Sequence, residues 1–568
     1  MKLLPWLVVL LLAITAAAGG RCASAEYVEQ RPGYHFTPQE GWMNDPNGPM
    51  YINGFYHLFY QCNPFNPWWY EIHWCHAIST DALHWTYLPF ILAPDHDYDA
   101  YGVYSGSTTI QDNGVPVIVY TGVSMNLTQT QCVAYPANMS DPYLTNWTKS
   151  ANNPIITTSG LPTDIDPKNF RDPTTAWMAN GQWNLLVSGG IIYPNDREGS
   201  ILLFTSPPSS SLSEWKFNKI LYTNNDSGGM WNCPDFFQID RSDPNSLWML
   251  KGSIFGAYDA WSTLKYNQAQ QVVELVSPSM GGGQFQYIDI GPSYYASKSF
   301  FDPNIGKQVL IGWLQEEENT TYSQARGWVG AYTLPRVVSL DTDNVSVVFT
   351  PHPNVVSLRD DNFNATCISL IPGFPSRIPL ISDQLELIFR LQLPYPLSSD
   401  SIKRTRPSSK LLERYNIVAP DDTLVYGLNV RASNEDEEFT PMFFAIDPSG
   451  LSEEAVRLAD PNDPFIATFA ITRLNSSQAQ HGSNTTIYGN FKVTRPQTHL
   501  IEFDMHVFID HSVIEAYVQG GRLCASARVY PSREDSMFVE IFSDQAVVGE
   551  IVSLSSWRML DSMPPSGP

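Results

Sequence analysis

The sequence predicts an all-β protein in two parts, on three observations. Short apolar-aromatic runs alternate with turn clusters from Tyr27 to about Leu340, as in Phe55-Tyr56-His57-Leu58-Phe59-Tyr60, Val115-Pro116-Val117-Ile118-Val119-Tyr120, Trp183-Asn184-Leu185-Leu186-Val187 and Gln308-Val309-Leu310-Ile311-Gly312-Trp313. Short strands with frequent turns mean a barrel, a sandwich or a propeller, and periodicity alone does not choose among them. Aromatic residues reach 13% and charged residues only 16%, and helix-forming stretches of Ala, Glu, Lys and Leu are absent. Finally, 568 residues exceed what one ordinary core organises.

From the start of the chain, Lys2 precedes an apolar run from Leu3 to Ala18 and the small-residue site Ala23-Ser24-Ala25. This reads as a secretory signal peptide over residues 1–25, and the apolar run is short for a membrane span. Nine Asn-x-Ser/Thr sequons agree with export: Asn126, Asn138, Asn146, Asn225, Asn319, Asn344, Asn364, Asn475 and Asn484. The formal charge of -24 repels phosphate backbones and argues against nucleic-acid binding. Seven cysteines are too few for a disulfide scaffold and match no zinc spacing. Cys22 leaves with the signal, and the pairing of the other six is not legible.

A second β-rich region begins near Asn364. Leu385-Glu386-Leu387-Ile388-Phe389-Arg390-Leu391 alternates like a half-buried strand, as do Tyr426 to Val430 and Val507 to Glu515. Between them, the polar stretch from Leu397 to Ser409 reads as a flexible loop.

Three boxes carry the chemistry: Trp42-Met43-Asn44-Asp45-Pro46-Asn47-Gly48-Pro49, Phe170-Arg171-Asp172-Pro173 and Met230-Trp231-Asn232-Cys233-Pro234-Asp235. Together they resemble the signature of glycoside hydrolase family 32, which holds plant invertases, fructan exohydrolases and fructosyltransferases. The stretch from Asp510 to Gly521, with Arg528-Val529-Tyr530-Pro531, is similar to part of that family's C-terminal sandwich. The resemblance implies a five-bladed β-propeller over residues 26–345, a linker over 346–363 and a β-sandwich over 364–568. It implies no metal and no cofactor. The expected protein is a secreted, monomeric glycoprotein, in the cell wall or apoplast if the source is a plant, and free of the membrane once the signal is cleaved.

Cleaving a glycosidic bond with retention needs two carboxyls about 5 Å apart, one to attack the anomeric carbon and one to protonate the leaving oxygen. By resemblance Asp45 is the nucleophile. Asp172 is the transition-state stabiliser, able to hold two sugar hydroxyls, with Arg171 beside it to keep it ionised. Trp42, Asn44, Gln61, Trp69, Tyr104 and Ser105 match the sugar pocket, and Trp74 matches the aromatic region next to it. His511 and Glu515 are expected to be fold elements of the sandwich.

The third box departs from the family. The family has Glu as acid/base where this chain has Asn232, and an amide has no proton to give. The sequence therefore carries alternative expectations: a β-fructofuranosidase acting on terminal β-fructosyl bonds of sucrose or fructans with impaired turnover, a non-catalytic fructan- or sucrose-binding protein, or a fructosyltransferase. Glu71 is a candidate substitute acid on the pocket rim. Tyr70 and Glu71 replace a Gly-Asn pair common in the family, adding bulk and charge beside the second sugar. The stretch from Lys251 to Trp261 does not show clearly the Asp/Lys pair with which invertases hold glucose.

Overall fold

The computed structural model describes residues 30–563 except 163, 193–196, 225–229, 255–257, 277–284, 405–421, 461–462, 480–481 and 497. The expected signal peptide and the Asn225 sequon lie outside the described residues.

Five sheets follow one another along the N-terminal half, over residues 41–92, 102–149, 165–224, 231–287 and 294–351. They are the blades of the propeller. Their central strands read as unbroken apolar runs because each blade is covered on both faces. In strand Pro116–Val123 all eight residues are buried. The ring closes where Trp328–Val329, after the fifth blade has begun, pairs in parallel with Gly41 and Trp42 of the first. Gly330 permits this approach, since a Cβ there would lie 2.4 Å from the Met43 carbonyl oxygen.

The C-terminal half is a sandwich of two six-stranded sheets. Leu385, Leu387, Phe389, Leu391 and Leu393 point inward from strand Gln384–Pro394, as the alternation requires. Phe444 sits at the centre, with the rings of Phe389, Phe469, Phe491 and Phe503 at 5.7–6.2 Å. Truncating such a residue to Ala costs about 3–5 kcal/mol.

Two expectations about connections fail. Residues 346–363 are not a free linker. Strand Val347–Pro351 completes the fifth blade by burying Val347 and Phe349, and strand Arg359–Ala365 already pairs with Ile551–Met559 of the sandwich. The 3₁₀ turn Pro353–Leu358 between them buries Val355 and Leu358. Nor is the polar stretch after Leu397 wholly loop. Ile402–Arg404 pairs with Gln545–Val547, because Ile402 packs on the sandwich core. Residues 405–409 lie outside the described residues.

A buried polar network fixes one domain on the other. His35 donates from Nδ1 to Asp510 and from Nε2 to Glu515, both at 2.9 Å. Arg336 Nη2 donates to Glu515 at 2.7 Å and to Asp289 at 2.8 Å. Burial works against charge on His35, but the bonds from Asp510 and Glu515 outweigh it and raise its pKa to about 9. Burial likewise opposes ionisation of Glu515, yet Arg336 and His35 hold it down to about 2. Glu515 therefore acts as a fold element that joins the two domains. His511 is bound within the sandwich to Asp383 at 3.0 Å.

Candidate active site

The first strand is interrupted in four of the five blades, and in the third Asp172 follows directly on strand Ile165–Arg171. Register slips fall between Met43 and Pro46, Tyr104 and Gly106, Asn232 and Asp235, and Tyr295 and Lys298. A bulge turns a side chain out of the pleat alternation. Asp172, Cys233 and Ala296 also hold left-handed backbone, with φ of 64°, 44° and 52°. Such geometry in residues with side chains persists only where the surroundings impose it.

Asp45, in the first bulge, is half-buried. Ser105 of the second blade donates to its Oδ2 at 2.6 Å, and Asn44 Nδ2 donates to its Oδ1 at 3.1 Å. Burial raises the Asp45 pKa, the Asp172 charge adds to this, and the bonds from Ser105, Asn44 and Cys233 oppose it. The contacts extend outward as a chain. Trp42 Nε1 donates to Asn44 Oδ1 at 2.8 Å, Asn44 Nδ2 to Gln61 Oε1 at 2.6 Å, and Gln61 Nε2 to Ser105 Oγ. One network thus holds five residues that the sequence places in the pocket or beside the nucleophile.

Asp172, on the third blade, is buried. Its own N–H donates to Thr121 Oγ1 at 2.9 Å, and its Oδ2 accepts the Cys233 N–H at 2.9 Å. Arg171 Nε lies 3.7 Å from the same oxygen. Cys233 also directs its thiol at Asp45 Oδ2, 3.2 Å away. Burial, with both carboxylates adding to it, pushes that thiol well above its ordinary pKa, so it stays a neutral donor between them.

Asn232, next to Cys233, is 5% exposed. Its Oδ1 accepts from Arg171 Nε at 3.1 Å and Nη2 at 2.6 Å, and its Nδ2 donates to Tyr295 Oη at 2.9 Å. Nearby carboxyls have other partners. Asp235 accepts the Ser299 N–H at 2.6 Å and pairs with Lys298 at 3.3 Å. Lys251 and Asp259 are buried 3.6 Å apart, and the strands that bear them are joined by only three residues, 255–257. Glu71 is exposed on the rim loop.

Trp69 stands at the rim, 41% exposed, with its ring edge-on to Tyr104 at 5.7 Å. Trp74 does not reach the pocket. It is fully buried between blades and donates from Nε1 to the Tyr104 carbonyl at 3.0 Å. Sequence reasoning gave no role to Cys233 or Tyr295. Cys233 lies within the third box, and Tyr295 lies in none of the three. Among the sequons, Asn126, Asn138, Asn146, Asn319, Asn344, Asn364 and Asn484 are exposed, and Asn475 is half-buried.

Residues 35–351 match the glycosyl hydrolases family 32 N-terminal domain, and residues 380–558 match the family 32 C-terminal domain. The chain is 33% identical over 552 residues to an acid β-fructofuranosidase of Capsicum annuum, covering 93% of this chain and 81% of that one. It is 32% identical to an insoluble β-fructofuranosidase isoenzyme of Arabidopsis thaliana, covering 93% and 89%. The structure superposes on fructan 1-exohydrolase IIa of Cichorium intybus with a TM-score of 0.80 at 27% identity, covering 94% of this chain and 98% of that chain. With both domains matched, and a carboxylate pair held at the propeller axis, the chain belongs to glycoside hydrolase family 32.

Proposed function

We propose that this protein is a secreted, glycosylated β-fructofuranosidase-type protein that captures a terminal β-fructosyl unit of sucrose or a fructan and releases it slowly. Asp45 is the nucleophile in this reading, presented by Ser105 and Asn44 in the orientation that frees its exposed edge. Asp172 binds sugar hydroxyls and stabilises positive charge at the anomeric carbon. Attack by Asp45 expels the leaving sugar as an alkoxide unless a proton reaches it.

The observation that carries the reading is the bonding of Asn232. Arg171 occupies its oxygen and Tyr295 one of its N–H groups. The remaining N–H can donate a hydrogen bond to the glycosidic oxygen, but it cannot give up the proton. Recognition is preserved and protonation is lost. Burial raises the Tyr295 hydroxyl far above its ordinary pKa, which makes it a poor acid in place of Glu. Glu71 lies on the exposed rim. The same bonding supports a second reading, a fructoside-binding protein with no turnover. A fructosyltransferase needs the same proton, so nothing here favours it.

The relatives support the substrate class. A glutamate-to-glutamine variant of the chicory fructan exohydrolase is known in complex with 1-kestose. Export is supported by the Leu3–Ala18 apolar run and the exposed sequons. Among the described residues no helix is long and apolar enough to cross a membrane.

The test is to incubate the purified protein with sucrose, inulin and levan beside its Asn232→Glu variant. Slow fructose release that the variant accelerates supports the slow hydrolase. Binding with no product assigns the binding protein, and longer oligomers assign transfer.

A further inference from the structure

The loop beside the axial site of Asp45 and Asp172, the funnel in which the proposed fructosyl unit sits, carries apolar surface that the chemistry there does not use. Residues 64–72 join strand Phe55–Asn63 to strand His73–Ser79. Phe65 is 65% exposed on this loop, Trp68 44% and Tyr70 50%, in addition to Trp69. Exposed aromatic surface gathered on one loop marks a contact site more often than an accident of packing.

The backbone of the loop is pinned at several points. A Cys62–Cys75 disulfide ties the two strands together at its base. Asn63 Oδ1 accepts the N–H groups of Phe65 at 3.1 Å and Asn66 at 3.2 Å, while its Nδ2 donates to the Trp68 carbonyl at 3.2 Å. His73 Nδ1 donates to the Glu71 carbonyl at 2.6 Å, and Glu71 holds a left-handed φ of 46°. A surface ordered before the ligand arrives loses less entropy on binding.

Ring contacts tie the loop to its neighbours. Trp69 meets Tyr104 of the pocket wall. Phe65 lies edge-on to His73 at 5.6 Å, and His73 to Phe90 at 4.9 Å, with Phe90 itself 42% exposed. Residues 63–74 include Glu71 and no Lys or Arg, in a chain of formal charge -24. An anionic ligand is therefore disfavoured. A neutral ligand with apolar faces fits, and sugar rings stack on aromatic side chains in this way.

We propose that the clipped loop is an accessory saccharide-binding surface, on which Phe65 and Trp68 take the later units of a β-fructan chain whose terminal unit occupies the funnel. The proposal rests on the reading of the funnel as a fructosyl site.

Titration calorimetry of the intact glycoprotein with sucrose and with inulin oligomers of increasing length tests it. Affinity should rise with length by about tenfold, the equivalent of about 1.4 kcal/mol. The Phe65→Ala/Trp68→Ala variant should lose that rise and keep the sucrose affinity. Sucrose binding with no dependence on length, or a rise that survives in the variant, overturns this inference alone. Failure of every fructoside to bind overturns the funnel reading and this inference with it. A concentration-dependent dimer that the variant dissolves would assign the patch to a second copy of the chain instead.

Discussion

The side-chain oxygen of Asn232 accepts two N–H groups of Arg171, at 3.1 Å and 2.6 Å. The amide is held from its other side by Tyr295, whose hydroxyl accepts its N–H at 2.9 Å. Relative to the family's Glu, the Asn side chain lacks a titratable proton and is shorter by one methylene.

The first consequence is a rate. Asn232→Glu should raise turnover of sucrose or fructan by about two to four powers of ten, the usual contribution of a positioned acid/base. Fructosyl fluoride needs little help to leave, so the wild-type first step on it should be far less impaired. A fructosyl ester on Asp45 should then accumulate, because no base activates water, and intact-mass spectrometry of the quenched protein would detect it. Equal rates for wild type and variant on sucrose would show that another group supplies the proton.

The second is the shape of a pH profile. As the proposed nucleophile Asp45 must be ionised to attack, and its pKa is raised by burial and by Asp172. The wild-type kcat/KM should fall on the acid side through a pKa above the usual carboxylate range. It should show no alkaline limb from a catalytic acid. Asn232→Glu should restore a bell. Ser105→Ala removes a donor to the Asp45 carboxylate, so the acid limb should move to higher pH. An unmoved limb would mean that Asp45 does not set it.

The third concerns the domain interface. His35 has its folded pKa raised from 6.5 to about 9, so its stabilising contribution is complete below 6.5 and disappears as pH rises through 9. Glu515 has its pKa lowered from 4.5 to about 2, so its contribution holds above 4.5 and is lost as pH falls through 2. Removing one member of such a buried set costs about 3–5 kcal/mol. His35→Leu should therefore lower stability at pH 6, measured by denaturant titration, and flatten the decline between neutral and alkaline pH. A variant as stable as wild type at pH 6 would contradict the assignment.

The fourth separates structure from recognition in the sandwich. His511→Ala breaks the contact with Asp383 and leaves the axial funnel untouched. It should lower stability or yield on secretion, and calorimetry should find fructoside affinity within twofold of wild type, about 0.4 kcal/mol. A well-folded variant that had lost only sugar binding would place His511 in a ligand site.

The sequence by itself determined the β architecture, because short apolar runs broken by turns leave the chain few other solutions. It also placed Asp45, Asp172 and Asn232 in boxes specific enough to carry a family. The departure at Asn232 was likewise legible, since the absence of a titratable proton is a property of one residue type. Tertiary structure decided everything that depends on where a side chain points. Asp235 and Asn232 are three residues apart, yet a bulge and a left-handed Cys233 send one to Lys298 and the other to the axis. Trp69 and Trp74 belong to one aromatic region, yet one is partly exposed at the rim and the other is buried between two blades. The Cys62–Cys75 bond was illegible because it depends on strand register. Cys62 faces His73 and Cys75 faces Tyr60, and only the folded hairpin brings the two sulfurs together.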